Sequence, residues 1–453
     1  MAVTGIFTAL SGMSAHRRIL DTTANNIANQ ITPGYKRQVV DLAPVSVGSG
    51  PAVFAGSGSR ALGVEVVDTR RVVDQLAEMR SRNAMGAATD ASTTRDAMLR
   101  IEAVFDEPSE RGLSTQLNAF WVSWSDLSDR ADDTVARGEV LARAGDLVNR
   151  IGQIATDLER VDIDAGRRID SLVSEINSKS AQIAELNKAI AGATGTPNAL
   201  MDQRDVLATE LADMVGADIR YIEEGDQMSV TVGGRLLVAG GSSFEVQRGA
   251  DTIEWALDGT PMRPAPSELA ALNRIQQELL PGVRAQLDTT VTEIVTEVNA
   301  AHSAGYGLDG VTGRDFFDPT GLTAQTMAVD ADIVGQTDRL AAGAAVLPGP
   351  TAPGPFDGRQ AQLLGDLAVD GAADQNYRTF VGELGIEVGS WVRRADSNQQ
   401  VADRALDDAE SVSGVSIDEE MVRMLAAQRG YEASARMLRA VDEMLETVIN
   451  IMR

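Results

Sequence analysis

The 453-residue sequence contains no cysteine and only two histidines, His16 and His302, and its aromatic side chains make up 4% of the chain. Without cysteine there is no disulfide framework, no thiolate zinc site, no iron–sulfur cluster and no cysteine nucleophile. Two histidines 286 residues apart in the sequence leave little for a His-rich metal site or a His-driven acid–base pair. Positive charge is also scarce: 40 basic against 66 acidic side chains give a net charge of −26. That excess argues against sequence-independent nucleic-acid binding, where cations must displace counterions from phosphates, and against docking on an anionic membrane surface. The first 20 residues lack both a basic n-region and an unbroken apolar run, so neither a cleaved signal peptide nor membrane insertion is expected. What is present is a 43% hydrophobic complement dominated by Ala, Val, Leu and Ile, which suits two to four domains of helices packed on helices.

The two ends are the most periodic parts. Ile6, Leu10, Met13, Leu20, Ala24 and Ile27 fall at heptad steps, with Arg17 in the one polar slot, and predict a helix over 4–29 that Pro33-Gly34 terminates. At the other end Ser416-Ile417-Asp418-Glu419 reads as a capping box. From there Met421, Met424, Gln428, Tyr431, Ala435, Leu438, Asp442, Leu445, Ile449 and Met452 step by three and four, and Leu425, Met437, Val441, Met444 and Val448 widen the stripe. The charges are complementary, +3 over residues 1–60 and −5 over 401–453. Two readings fit: ordinary terminal helices of one globular core, or a terminal coiled coil that also packs against copies of itself.

The wording of these ends carries a resemblance. Ala24-Asn25-Asn26-Ile27-Ala28-Asn29 followed by Thr32-Pro33-Gly34-Tyr35-Lys36-Arg37-Gln38 resembles the N-terminal signature of the bacterial flagellar axial proteins of rod, hook and hook-associated type. Ser413 to Glu420, then Ala427-Gln428-Arg429-Gly430-Tyr431 and Asp442-Glu443-Met444-Leu445, resemble the matching C-terminal signature.

Between the ends, the pattern predicts helices over 74–105, 114–128 and 135–191, the last with Ile169, Leu172, Ile176, Ile183, Leu186 and Ile190 at heptad steps and Lys179 in the polar slot. Thr196-Pro197 opens a further helix, N-cap then proline, running to about Met214. Short alternating runs between 217 and 259 carry hairpin punctuation, and an amphipathic helix over 267–302 should kink or divide at Pro281-Gly282. The glycine- and proline-rich stretch 303–360 reads as loops, and helical spacing returns over 376–408. Hook and rod proteins usually carry large β domains here. This middle instead resembles the family of the first hook-associated, or junction, protein, through Leu117-Asn118-Ala119-Phe120-Trp121, Met201-Asp202-Gln203-Arg204-Asp205, Glu297 to His302 and Thr312 to Phe317. Only the short 217–259 sheet stands where many relatives of that type carry larger outer domains.

No grouping reads as catalytic, cofactor-binding or metal-binding. Gly56-Ser57-Gly58-Ser59-Arg60-Ala61 fits a loose dinucleotide fingerprint, but the strand-like Gly63-Val64-Glu65-Val66-Val67 follows where a helix must open. His302 reads as a packing or hydrogen-bonding histidine, and His16 as solvated or at a subunit contact. The acidic runs 223–226, Asp407-Asp408 and 309–315, the last opening on Asp309 and closing on Asp315, lack EF-hand spacing and read as turns and solvated faces. An acidic secreted hydrolase built on paired carboxylates is the alternative of another class, though no pair is singled out.

The expected fold is mainly α: an elongated helical bundle with its terminal helices paired as a coiled coil and a small antiparallel β insertion. The expected division is 1–45 with 412–453 as an assembly domain, 46–216 with 262–411 as a central bundle, and 217–261 as a β domain. The resemblance implies a non-enzymatic junction protein forming a ring of copies between hook and filament, with a hook or rod component as the nearest alternative. It also implies contacts with hook protein and a second junction protein, a cytoplasmic export chaperone at the C-terminal region, and an extracellular flagellar location. The expected assembly residues are Ile6, Leu10, Met13, Leu20, Asn25, Asn26, Ile27, Asn29, Pro33, Gly34 and Tyr35 at one end. At the other end they are Met421, Met424, Leu425, Gln428, Tyr431, Leu438, Leu445, Ile449 and Met452.

Overall fold

The computed structural model describes residues 2–46, 61–222, 227–250, 252–346 and 351–451. Most of the 48–63 connection, the fingerprint-like 56–60, the acidic run 223–226, the proline-rich 347–350 and Met452 lie outside the described residues.

The chain opens with α1 (Ala2–Ala28), turns through Pro33-Gly34, and forms an antiparallel hairpin of β1 (Gln38–Ser46) and β2 (Ala61–Arg71). β2 contains the strand expected at 63–67; β1 was not foreseen. Four helices follow: α2 (Gln75–Phe105), α3 (Leu113–Asp129), α4 (Thr134–Ala191) and α5 (Asn198–Val215). Asp74 and Asp133 cap α2 and α4, each carboxylate accepting from backbone N–H groups of the first turn. At 58 residues α4 is about 87 Å long at 1.5 Å per residue, and it forms the spine of an elongated bundle.

Burial along α4 follows the heptad reading: Ile169, Leu172, Ile176, Ile183 and Ile190 are all buried. Two details differ. Leu186 is half-exposed, and the polar slots in the seam are Ser180 and Asn187, while Lys179 sits at the edge and pairs with Glu210 at 2.5 Å. Asn187 has a job there. It donates to the carbonyls of Met228 and Gly240 and accepts from Met228 N–H and Arg204, which fastens the β insertion to the spine. Asn177 does the same with Val246, one bond in each direction.

That insertion holds β3 (Asp218–Ile222), β4 (Gln227–Val232), β5 (Arg235–Ala239) and β6 (Ser242–Ser243) in one antiparallel sheet, and β7 (Val246–Arg248) with β8 (Ile253–Trp255) in a hairpin. Of residues 244–247, whose alternation also reads as a strand, only Val246 and Gln247 lie in one, β7. The next helix is α6 (Glu268–Arg274), a π turn over Ile275–Leu279, and α7 (Leu280–Ala304). Pro281 does not divide the helix: the π turn immediately before it absorbs the extra residue and Leu280 N–H bonds back to Ile275. At α5 the expected cap is also different. Pro197 itself takes the N-cap position, and the Thr196 hydroxyl bonds to Asp68 of β2 instead.

The loop stretch 303–360 contributes to the core. Phe316, Phe317, Leu340 and Ala342 are fully buried in it. Asn299 of α7 holds it by accepting from Phe316 and Phe317 N–H and donating to Phe317 O. Phe120 and Trp124 of α3 pack on Phe316 at ring-centroid distances of 5.8 and 5.4 Å. The chain closes with α8 (Arg359–Asp370), α9 (Ala372–Ser413), which runs against α2, and α10 (Ile417–Ile451), which runs against α1.

Candidate functional site: the paired terminal helices

The two termini meet in an antiparallel seam made of small residues. Ala9 of α1 and Ala427 and Val441 of α10 are its buried apolar members among the described residues. A Cβ added at Gly5 would stand 3.1 Å from Val441, one at Gly12 would stand 2.9 Å from Ser434, and one at Gly430 would overlap the imidazole of His16. These contacts fix the register and let the two backbones approach closely. On its other side α1 lies on the β1–β2 hairpin, where Ser11 Oγ accepts from Val64 N–H and Arg18 donates to Thr69 Oγ1.

Asn26 locks the far end of the seam. It is 1% exposed, and its amide nitrogen donates to Gln38 O and to Glu420 Oε2, both at 2.9 Å. Its oxygen accepts from the Tyr35 hydroxyl at 2.7 Å and from Gln38 N–H at 3.0 Å. Both donors and both acceptor sites are used, so one side chain joins α1, the turn, β1 and α10. Glu420, equally buried, takes its second bond from Arg423 at 2.7 Å. Burial, then the nearby Asp202 and Glu420, push the Tyr35 hydroxyl up to about 12, so it stays a donor. Asn29 closes the signature by donating to Asn25, backbone and side chain, at 2.9 Å. The capping box forms by half. Ser416 Oγ accepts from Glu419 N–H at 3.5 Å, while the Glu419 carboxylate turns to Arg37 and Arg423.

The turn is seated against α5. Gly34 has φ +78°, and a Cβ there would stand 2.2 Å from Val206, so glycine is required both for the backbone and for the approach. A buried ion triplet ties the hairpin to the same helix: Arg71 reaches Asp202 at 2.9 Å and Asp205 at 2.7 Å. Burial works against the Arg71 charge, but the two carboxylates more than offset it and hold its pKa above the ordinary value.

The sequence-derived residues divide sharply on this frame. Asn26 is buried, Tyr35, Ile6, Met13, Leu20, Ile27 and Asn29 are half-buried, and Leu10, Asn25, Pro33 and Gly34 are exposed. On α10, Met424, Tyr431, Leu438 and Leu445 are half-buried toward α1. Met421, Leu425 and Gln428 are exposed, and the side chain of Ile449 is outside the described residues. The seam residues Gly5, Gly12, Glu420, Ala427, Gly430, Ser434 and Val441 were not among those expected. Their signal was there as small residues at steps of three and four, which a search for large apolar side chains passes over.

Helix α1 is the only substantial neighbour of α10 among the described residues. The outward faces therefore stay bare: Phe7 is 59% exposed, Val422 67%, Met444 55% and Ile451 78%. Elsewhere the candidates for chemistry are structural. His302 Nδ1–H donates to Arg314 O at 2.8 Å and Nε2 accepts from Ala341 N–H at 2.9 Å, and burial depresses its pKa to about 4, so it is held neutral. Asp309 pairs with Arg314 at 2.6 Å, and among the described residues no group of three or more His, Cys, Asp or Glu is placed to hold a metal ion. Among the same residues, no helix is long and apolar enough to cross a membrane.

The ends define the class first. Residues 6–36 match the family model described as flagella basal body rod protein, and 408–451 match that of the flagellar basal body rod FlgEFG protein C-terminal region. Both ends are thus similar to those of flagellar axial proteins. Residues 98–317 match the flagellar hook-associated protein FlgK helical domain. The chain is 28% identical to flagellar hook-associated protein 1 of Bacillus subtilis over 98% of this chain and 97% of that one. It is 25% identical to the protein of the same name from Escherichia coli, over 98% of each. The flagellar hook junction protein FlgK from Burkholderia pseudomallei shares the fold with a TM-score of 0.61 at 14% identity, over 74% of this chain and 100% of that one. Over nearly its whole length the chain is thus similar to flagellar hook-associated protein 1, and its middle matches the helical domain of that protein. That similarity leaves the hydrolase alternative without support.

Proposed function

We propose that this chain is a structural, non-enzymatic junction component of the bacterial flagellum, assembled as a ring of copies between hook and filament through α1 and α10. The observation that carries the reading is the bare outer face of α10, a helix locked to α1 on one side and left uncovered on the other by the described residues. An apolar helix face of that extent belongs against a neighbour. The proposed assembly unit is 1–45 with 412–453, carried on a bundle of 46–216 with 262–411, with the 217–261 sheet fastened outside it by Asn177 and Asn187. Its expected neighbours are hook protein and a second junction protein. A cytoplasmic chaperone covering the C-terminal region would shield the same α10 face before export, which leaves the chain outside the cell.

The test is deletion of the gene. Hooks should form normally while filament protein is lost to the medium unpolymerised, and re-expression of the chain should restore filaments. Hooks that fail to form, or filaments that persist, would overturn the junction role.

A further inference from the structure

A second bare surface lies a short way along the same unit. The Pro33-Gly34 turn, the end of α4 and the start of α5 enclose a groove of about 1090 Å³. Its apolar lining comes from Pro33, Tyr35, Leu186, Val206 and Leu207, and Gln182 and Glu185 stand among its lining on the α4 side. We infer that this groove receives the outer face of α10 from a second copy of the chain, so that each copy offers a helix to one neighbour and a groove to another. The inference rests on the assembly reading above and names the partner surface that the reading leaves open.

Three observations select that occupant. The groove and the stretch of the helix face around Met437 belong to the same chain but cannot meet within it. Ser434 lies against Gly12, which is 13 residues before Asn25 at the groove's edge, a separation of about 20 Å along α1. Met437 and Met444 lie further still along the seam, toward Gly5 and Val441. Charge points the same way. Residues 421–441 carry four arginines against one glutamate, while residues 61–400 carry a net −24. Arg429, Arg436 and Arg439 are exposed and have no ion-pair partner among the described residues. The stretch of that face around Met437, basic between the acidic 418–420 and 442–446, is thus complementary to an apolar groove set in an acidic body. Finally, the two surfaces are different patches of one chain. Their contact is head-to-tail rather than self-complementary, the kind that closes into a ring or winds into a helix.

The absence of cysteine makes a direct test possible. Single-cysteine variants are made at exposed groove positions, Gln182→Cys and Gln203→Cys, and at exposed α10 positions, Met437→Cys and Met444→Cys. Each groove variant is produced together with each helix variant in cells lacking the native gene, and isolated flagella are oxidised. The expected result is a disulfide-linked dimer that appears when both kinds are present and is absent with either alone. Flagella that carry filaments but give no mixed dimer from any of the four pairings overturn the inference while leaving the junction role intact. A dimer from one variant alone, or Met437→Cys linked to a chain of different mass, overturns it as well. A pairing that blocks filament attachment is replaced by the alternative position on the same surface.

Discussion

Asn26 spends its whole hydrogen-bonding capacity on four bonds to three residues, and a change of one atom should therefore be felt at all of them. Asn26→Asp removes the donor to Glu420 and sets two carboxylates at the present 2.9 Å contact. The expected result is an α10 that detaches from α1 near neutral pH and partly re-docks on acidification, read by proteolytic cleavage in α10; unchanged protection at neutral pH would refute it. Arg71 makes the complementary case. Arg71→Met leaves Asp202 and Asp205 buried without a counter-charge and should cost roughly 3–5 kcal/mol in denaturant unfolding. His302 gives a pH signature with a definite sign. Its folded pKa is near 4 against about 6.5 when unfolded, so the unfolded chain binds the extra proton between those values. The stability tied to the neutral ring is complete above 6.5 and lost as pH falls through that window, amounting to about 2 kcal/mol between pH 7 and 5. His302→Gln should remove that portion of the pH dependence, and a gap between variant and parent that stays constant from pH 7 to 5 would contradict the assignment. Much of this scale was legible: the asparagine signature and the packing role of His302 follow from residue type and position. The partners were not, because Glu420 lies 394 residues from Asn26 and no local pattern couples them.

At the scale of elements, the long helices could be read because their apolar steps continue over many turns, and α4 keeps nearly the expected seam. The α1–α10 contact was foreseen as a pairing but not in its chemistry. Large side chains suggested the seam, yet Leu10 and Met421 point outward and Gly5, Ala9, Gly12, Ala427 and Gly430 carry the contact. Small residues pack backbones closely and free the larger ones for a neighbour. That division makes Gly430 a sensitive position: a Cβ there would lie 2.3–2.7 Å from three atoms of the His16 ring. Gly430→Val should push α10 off α1 and abolish filament attachment while the thermal transition of the bundle stays put. Gly430→Val combined with His16→Ala should recover part of the loss. The proline-containing α6–α7 segment shows the opposite limit of sequence reading. A π turn is cheap enough to accommodate Pro281 when both flanking helices pack on the core, and that packing is a tertiary fact.

Over the whole molecule, the two halves of the architecture hold very different amounts of buried apolar surface. Along α4 alone Leu147, Ile151, Ile154, Leu158, Ile169, Leu172, Ile176 and Ile183 are completely buried, each worth about 1.5–3 kcal/mol relative to exposure. The α1–α10 seam buries two alanines and a valine among the described residues, and Asn26 and Glu420 close only one end of it. Local opening free energy follows such differences, so in the unassembled chain the terminal pair should open far more often than the bundle. Hydrogen exchange on the isolated full chain should show amides of α1 and α10 exchanging orders of magnitude faster than those buried in α4. A fragment of residues 70–413, which retains Arg71 with its two aspartates and all of α9, should unfold as one cooperative monomer. In isolated flagella the same α1 and α10 amides should become protected, because neighbouring copies then cover the faces that the monomer leaves bare. Ordering the ends costs conformational entropy, and the interface offsets it only when neighbours are present. Equal protection of ends and bundle in the free chain would mean that the pair is already a finished core, and the bare face of α10 would then no longer imply folding coupled to assembly.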